Sequence, residues 1–234
     1  MGKAIEETAF QRDHEVILKV DINNLSDFTQ EKLQTADAAI EFTGPHTAYE
    51  NVKKIINFGV PTVCGSTGWT DKLEELKIFC KEKKGSFIYS SNYSIGVNMF
   101  FEINKKLASL MSLHQEYEPI IEETHHTQKK DAPSGTAISL ADQILEQISR
   151  KKRWVNEVSE NPEDLEIISQ RVDPAPGTHS IKYSSAIDDI EIIHTAHNRK
   201  GFALGAVLAA EFISDKKGFF TMKDVLGRSS GKWK

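Results

Sequence analysis

"DAAIEFTGPHTAYENVKKIINFGVPTVCG", residues 37–65, is the stretch on which the fold turns. The run 37–43 predicts a strand, the stretch from about His46 to Asn57 a helix, and 61–65 a second, short strand. Two strands joined through a helix lie parallel, because a tight hairpin cannot connect them. Going outward, the same rhythm continues. "MGKAIEETAF" (1–10) reads as a helix and "EVILKVD" (15–21) as a strand ending on an acid. Beyond residue 65, "DKLEELKIFCKEKKG" (71–85) is an amphipathic helix closed by Gly85, and "SFIYSSN" (86–92) is another strand. Strand and helix in alternation argue for a parallel sheet covered on both faces, the α/β arrangement of a Rossmann-like, dinucleotide-binding domain.

The second half has a different texture. "GVNMFFEINKKLASLMSL" (96–113) is a long helix, "YEPIIEETHH" (117–126) a strand, and "GTAISLADQILEQI" (135–148) a helix with Ala141, Ile144, Leu145 and Ile148 on one face. The segment 151–179 is polar, carries Pro162, Pro174 and Pro176, and reads as a loop excursion. "SIKYSS" (180–185) and "DIEIIHTAHN" (189–198) alternate like antiparallel strands with one solvated face, and "FALGAVLAAEFI" (202–213) is again helix. The expected organisation is a dinucleotide-binding domain over 1–93 and 206–234. An α+β domain over 94–205 follows, with a mixed or antiparallel sheet.

Composition narrows the function. A formal net charge of −5 argues against a nucleic-acid surface, which is normally basic. No apolar run approaches a membrane span and no signal-peptide pattern opens the chain. Cys64 and Cys80 lack metal or redox spacing, so two reduced thiols in a cytoplasmic protein are expected. Open α/β sheets bind ligands beyond the carboxyl ends of their strands. Asp21 ends a predicted strand, and "EFTGP" (41–45), "GSTGW" (65–69) and "YSSNYS" (89–94) end three others. Glycine there lets backbone N–H groups approach a flat or anionic ligand.

"THHTQKKDAPSGT" (124–136) looks least like scaffold. Ser134 is a good helix N-cap with Gly135 and Thr136 in the first turn, so backbone amides and the helix dipole make an anion site there. His125, His126, Lys129 and Lys130 gather positive charge around it in an acidic protein, which suits a small carboxylate-bearing substrate. On a strand, Glu123 and His125 share one face and His126 takes the other. A metal is not expected: His194 and His197 point to opposite faces of a strand, and no Cys or carboxylate cluster has ligand spacing.

"EETHHTQKKDAPSGTA" resembles the signature of the dihydrodipicolinate reductase family, nicotinamide-dependent enzymes of diaminopimelate and lysine biosynthesis. "EFTGP", "GSTGW", "SSNYSIGVN", "HTAHNRKGFALGA" and "GFFTMKDVLG" match family segments in order, so the resemblance covers nearly the whole chain. Glu41 stands where Asp is usual and Ser66 where a second Thr is usual. The resemblance implies hydride delivery from NADH or NADPH to a C=C bond conjugated with a ring imine, with a proton from a positioned acid. His125 corresponds to the proton donor and Lys129 to its partner acid. His126, Lys129, Ser134, Gly135 and Thr136 would hold the substrate's carboxylates. Met1, Gly2, Asp21, Gly65, Ser66, Thr67, Ser90, Ser91, Asn92 and Tyr93 would line the dinucleotide. With Asp21 able to bind a ribose 2′-OH and no arginine beside it, NADH should serve at least as well as NADPH. For the domain over 94–205, substrate binding and assembly of a homotetramer through its sheet are also implied.

Two other classes compete: a non-catalytic relative that binds a dicarboxylate or scaffolds an oligomer, and a metal-dependent hydrolase. The family opens with a strand and a glycine-rich loop ending in Met-Gly, whereas this chain begins at Met1-Gly2. The expectation is that Met1 is internal to a longer natural protein. Without that strand, 15–21 and 37–43 should stand apart from 86–92 or face an open slot.

Overall fold

The computed structural model describes residues 1–198 and 200–227. Along the chain run α1 (Gly2–Gln11), α2 (Gln30–Leu33), β1 (Ala39–Glu41), α3 (Ala48–Asn57), β2 (Thr62–Cys64), α4 (Leu73–Glu82) and β3 (Ser86–Tyr89). Next come α5 (Ile95–Met111), β4 (Glu118–His125), α6 (Gly135–Leu145), β5 (Arg153–Val155), β6 (Asp164–Arg171), β7 (Thr178–Ser184) and β8 (Asp189–Thr195). The described chain closes with α7 (Lys200–Ile213), β9 (Gly218–Phe220) and α8 (Met222–Gly227). None of the described helices is long and apolar enough to cross a membrane.

The chain divides into two compact units, one of Met1–Ile95 with the chain that follows Asn198, the other of Gly96–Asn198. The return to the first unit therefore comes ahead of α7 rather than at 206. That helix packs as one piece, with Ala203, Ala206, Ala209 and Ile213 all buried in the first unit's core.

In the first unit the sheet is wholly parallel, in the order β1-β2-β3-β9. Period-two alternation assigns its residues to two layers. Val63 and Ile88 face α1 and α7, while Cys64 and Phe87 face α3 and α4. Leu76 of α4 is fully buried, worth roughly 2 kcal/mol of transfer free energy. Strand β9 was not expected; "GFF" is too short to show a period, and it pairs with β3 only through long-range register.

The expected strand 15–21 is not one. Residues 15–20 form no regular element, and their backbone groups enter no ladder among the described residues. Val16 and Ile17 are exposed, and Leu18 alone of this run joins the small apolar cluster of Leu33, Ile55 and Val60. A strand is defined by a neighbour, and among the described residues none pairs with this segment. The stretch 37–43, by contrast, remains in the sheet, with β1 paired to β2 on one side and forming the sheet's edge on the other.

The second unit is a mixed sheet in the order β5-β6-β4-β7-β8: β4 is parallel to β6 and antiparallel to β7. The excursion read over 151–179 thus contains two strands. In β6, Leu165 and Ile167 alternate inward and are fully buried, a pattern masked by the polar residues and Pro162 before it. Helices α5 and α6 cover one face, where Phe100, Ala108, Leu140 and Ile144 pack on Ile121, Leu165, Ile167, Ile181 and Tyr183. Along β4 every second residue, Pro119, Ile121, Glu123 and His125, lies on that covered face. Burial continues to the strand's end although the last two of these side chains are polar.

Candidate active site

The carboxyl end of β4 brings three strands and one helix start together. Register sets Glu123 between Ser169 of β6 and His179 of β7, with His125 opposite Arg171. Cross-strand neighbours on one face are in side-chain contact. Glu123 Oε1 accepts from the Ser134 backbone N–H at 3.1 Å, the Ser169 hydroxyl at 2.7 Å and the Arg171 guanidinium at 3.0 Å. Burial alone would raise this carboxyl's pKa. The close His125 imidazole and the hydrogen bonds from Ser134, Ser169 and Arg171 outweigh it and hold the group ionised far below the usual carboxylate range.

Two imidazoles sit edge to face here, the rings of His125 and His179 5.0 Å apart. His179 is driven down to about 4, first by burial and then by the charge His125 carries when protonated. It therefore stays neutral at pH 7, its Nε2 3.0 Å from Ser134 Oγ. Ser134 caps α6 as expected, its hydroxyl accepting from Ala137 N–H at 3.2 Å. Beyond His125 the chain turns sharply, with Lys129 N–H donating to the His126 carbonyl at 3.1 Å and Thr127 N–H to Asp173 at 3.1 Å. His126 is half-buried beside this turn. Lys129 Nζ is held by both carboxylate oxygens of Asp131, at 2.8 and 2.7 Å. The structure thus gathers His125, Ser134 and the start of α6, and places His126 and Lys129 on the adjoining turn. Sequence reading missed His179, Ser169 and Arg171, for which only the alternation of 178–184 and 164–171 offers a signal.

The pair His194 and His197 forms no cluster with a third metal-ligating residue among the described residues, but Glu123, His125 and His179 do, a grouping not anticipated from spacing. Its donor types would suit a metal, yet the Arg171 guanidinium on Glu123 Oε1 sets a fixed positive charge beside it, which opposes a cation.

In the first unit the loops after β1 and β2 hang on one buried side chain. Glu41 accepts from Thr43 N–H at 2.7 Å, from Ser66 Oγ at 3.1 Å and from the Cys64 thiol at 2.9 Å. A Cβ on Gly65 would lie 2.2 Å from the Phe42 ring, so the glycine has a packing role in addition to the ligand approach expected of it. Thr67 follows in the same turn, and Trp69 Nε1 donates to the Ser66 carbonyl at 2.7 Å. Ser90 and Asn92 form a local turn, Ser90 Oγ donating to the Asn92 carbonyl at 2.7 Å; Ser91 is exposed in it.

Two candidate cofactor residues need correction. Tyr93 has a core side chain, 2% exposed, with its hydroxyl on the Cys64 carbonyl at 2.8 Å, so only its backbone can face a ligand. Asp21 does not end a strand; it sits in an exposed turn, where its carboxylate accepts from Asn23 N–H at 2.7 Å. A dinucleotide nonetheless fits this unit. Helix α1 has no capping side chain behind Met1 and no acid in its first turn, and a Cβ on Gly2 or Gly44 would meet open space. Such backbone suits pyrophosphate approach.

The family descriptions "Dihydrodipicolinate reductase, N-terminus" and "Dihydrodipicolinate reductase, C-terminus" match residues 1–93 and 96–226. The chain belongs to the dihydrodipicolinate reductase family. A 4-hydroxy-tetrahydrodipicolinate reductase of Christiangramia forsetii is 49% identical over 231 residues, covering 97% of this chain and 93% of that one. The enzyme of the same name from Methanosarcina acetivorans is 36% identical over 217 residues, covering 90% and 81%. Among solved structures, a dipicolinate-bound dihydrodipicolinate reductase from Paenisporosarcina sp. TG-14 superposes with a TM-score of 0.74 at 24% identity, over 96% of this chain and 94% of that one. This likeness speaks to the fold. Membership in a reductase family across both units favours an oxidoreductase using a nicotinamide cofactor over the non-catalytic scaffold and the metal-dependent hydrolase.

Proposed function

We propose that this chain reduces 4-hydroxy-tetrahydrodipicolinate to tetrahydrodipicolinate, the activity named for its relatives. The observation that carries the reading is the buried His125 at the end of β4, beside the capped start of α6 and the turn bearing Lys129. The 4-hydroxyl first leaves as water, which creates the electron-poor double bond, and a reduced nicotinamide, when bound, supplies hydride to it. His125 holds the proton that completes the reduction, because an imidazole can both keep and release a proton near neutral pH. The Lys129 ammonium binds a substrate carboxylate and assists. His126, Ser134, Gly135 and Thr136 complete the anion site through the imidazole, the cap hydroxyl and the first-turn amides.

No arginine stands beside Asp21 to receive a 2′-phosphate, so NADH is used at least as well as NADPH. Ile190 and Ile193 of β8 present apolar surface on a strand at the sheet's edge, which supports assembly through this sheet into a homotetramer. Free Cys64 and Cys80 accord with the reducing cytoplasm.

The test is substrate-dependent oxidation of NADH and NADPH by the purified chain. His125→Ala lowers turnover by a factor on the order of 100 while dinucleotide binding is kept. Lys129→Ala weakens substrate binding and turnover together. Full activity in either variant removes that residue from the mechanism, and a strong NADPH preference overturns the cofactor reading.

A further inference from the structure

His125 Nδ1 and Glu123 Oε2 face one another at 2.9 Å. Both atoms are sealed from solvent, and neither has a hydrogen-bond partner among the described residues. The pair is a close polar contact between two buried atoms. Oε1 of the same carboxylate is fully engaged by Ser134, Ser169 and Arg171. Those three donors come from the start of α6 and from β6, and they pin Glu123 from two sides. Its remaining oxygen faces two imidazoles, His125 Nδ1 at 2.9 Å and the more distant His179 Nε2 at 3.8 Å, so His125 is the nearer partner.

We propose that Glu123 is the positioning residue of the proton donor, holding His125 with Nδ1–H toward Oε2 so that Nε2 is the atom that passes the proton. This rests on the reading of His125 as the acid. A neutral imidazole in water exchanges between two tautomers, and a fixed anion beside one nitrogen selects the form protonated there. Before transfer the carboxylate stabilises the imidazolium. In the transfer the Nε2–H bond breaks, its electron pair stays on the ring, and the proton joins the substrate carbon next to the one that accepts hydride from the reduced nicotinamide. The ring is left neutral, with its Nδ1 proton still against Glu123.

Two neighbours support this division of labour. Gly177 lies beside Nε2, where a Cβ would come within 3.1 Å, so the glycine keeps side-chain atoms away from the transferring nitrogen. Arg171 balances the buried charge, which keeps Glu123 from taking the proton itself.

The experiment is nitrogen-15 NMR of histidine-labelled full-length protein, with kinetics of Glu123→Gln, His125→Ala and the double variant. The expected spectrum has His125 protonated at Nδ1 and unprotonated at Nε2 in its neutral form; the opposite tautomer overturns the proposal. Glu123→Gln is expected to lower kcat toward the level of His125→Ala, on the order of 100-fold, with little change in KM. Residues acting as a unit are not additive, so the double variant should be no slower than His125→Ala alone. A Glu123→Gln variant with wild-type kcat, or losses that multiply, rejects the positioning role while leaving His125 as the acid. Full activity in His125→Ala rejects the parent reading instead. The tautomer of the unmodified protein decides the matter even where the glutamine variant does not fold.

Discussion

Lowering the pH from 7.5 to 5 sets His179 against the fold of the second unit. Its imidazole is pushed down to about 4 by burial and by the charge of His125, whereas in the unfolded chain it titrates at about 6.5. The unfolded state therefore takes up a proton first, and stability rises with pH throughout the interval between the two values. Stability is intact above about 6.5, falls as pH drops, and the loss is complete below about 4 at about 3 kcal/mol. At pH 5 linkage gives a loss of about 2 kcal/mol. Glu123, held far below the ordinary carboxylate range, begins to contribute only under about pH 4.5, so the chosen window separates the two groups. The assay is urea unfolding by far-UV circular dichroism at pH 7.5, 6 and 5 for the wild type and His179→Asn. The asparagine variant starts less stable but should lose about 2 kcal/mol less across the window. If the two stability curves run parallel, His179 is not a buried neutral imidazole and the electrostatic account of the site fails.

Gly205→Ala places a Cβ 1.7 Å from the Tyr93 carbonyl oxygen, so α7 must shift. A loss of about 1–3 kcal/mol, seen as a fall in Tm, is expected, and an unchanged Tm would contradict that packing. Glu41→Ala deprives Thr43 and Ser66 of their acceptor. It should cost about 1–3 kcal/mol and weaken NADH binding, while dicarboxylate binding measured by calorimetry is retained. The amides of residues 15–20 have no acceptor among the described residues and should exchange with deuterium far faster than those of Val63 and Ile88. Slow exchange there would mean that the segment is paired in solution.

The parallel core was legible because Ala39–Glu41, Thr62–Cys64 and Ser86–Tyr89 lie in short apolar runs with turn residues close at their ends. By the same criteria 15–21 looked equally good, since composition reports whether a segment could be a strand, not whether a partner is present. In the second unit the period of two in β4 put Glu123 and His125 on one face before any coordinates. The rest of the site comes from register. Nothing local to Ser169, Arg171 or His179 says that each will stand beside Glu123, and a buried glutamate in a strand has no signature apart from its neighbours. Tyr93 was misplaced for the converse reason: it follows a strand end, as ligand-facing residues do, but its ring has an apolar pocket against Phe42.

The resting state of Lys129 bears on selectivity. Its ammonium already has a carboxylate, Asp131, two positions further along. A ligand carboxylate arriving there exchanges one anion for another instead of capturing a free cation. Exposed pairs of this kind are worth only about 0–1 kcal/mol, so the exchange is easy, yet it sets a threshold. A monocarboxylate offers Lys129 no more than Asp131 does. On the proposed reading, a dicarboxylate that reaches both the lysine and the amides at the start of α6 gains more from the exchange than a monocarboxylate does.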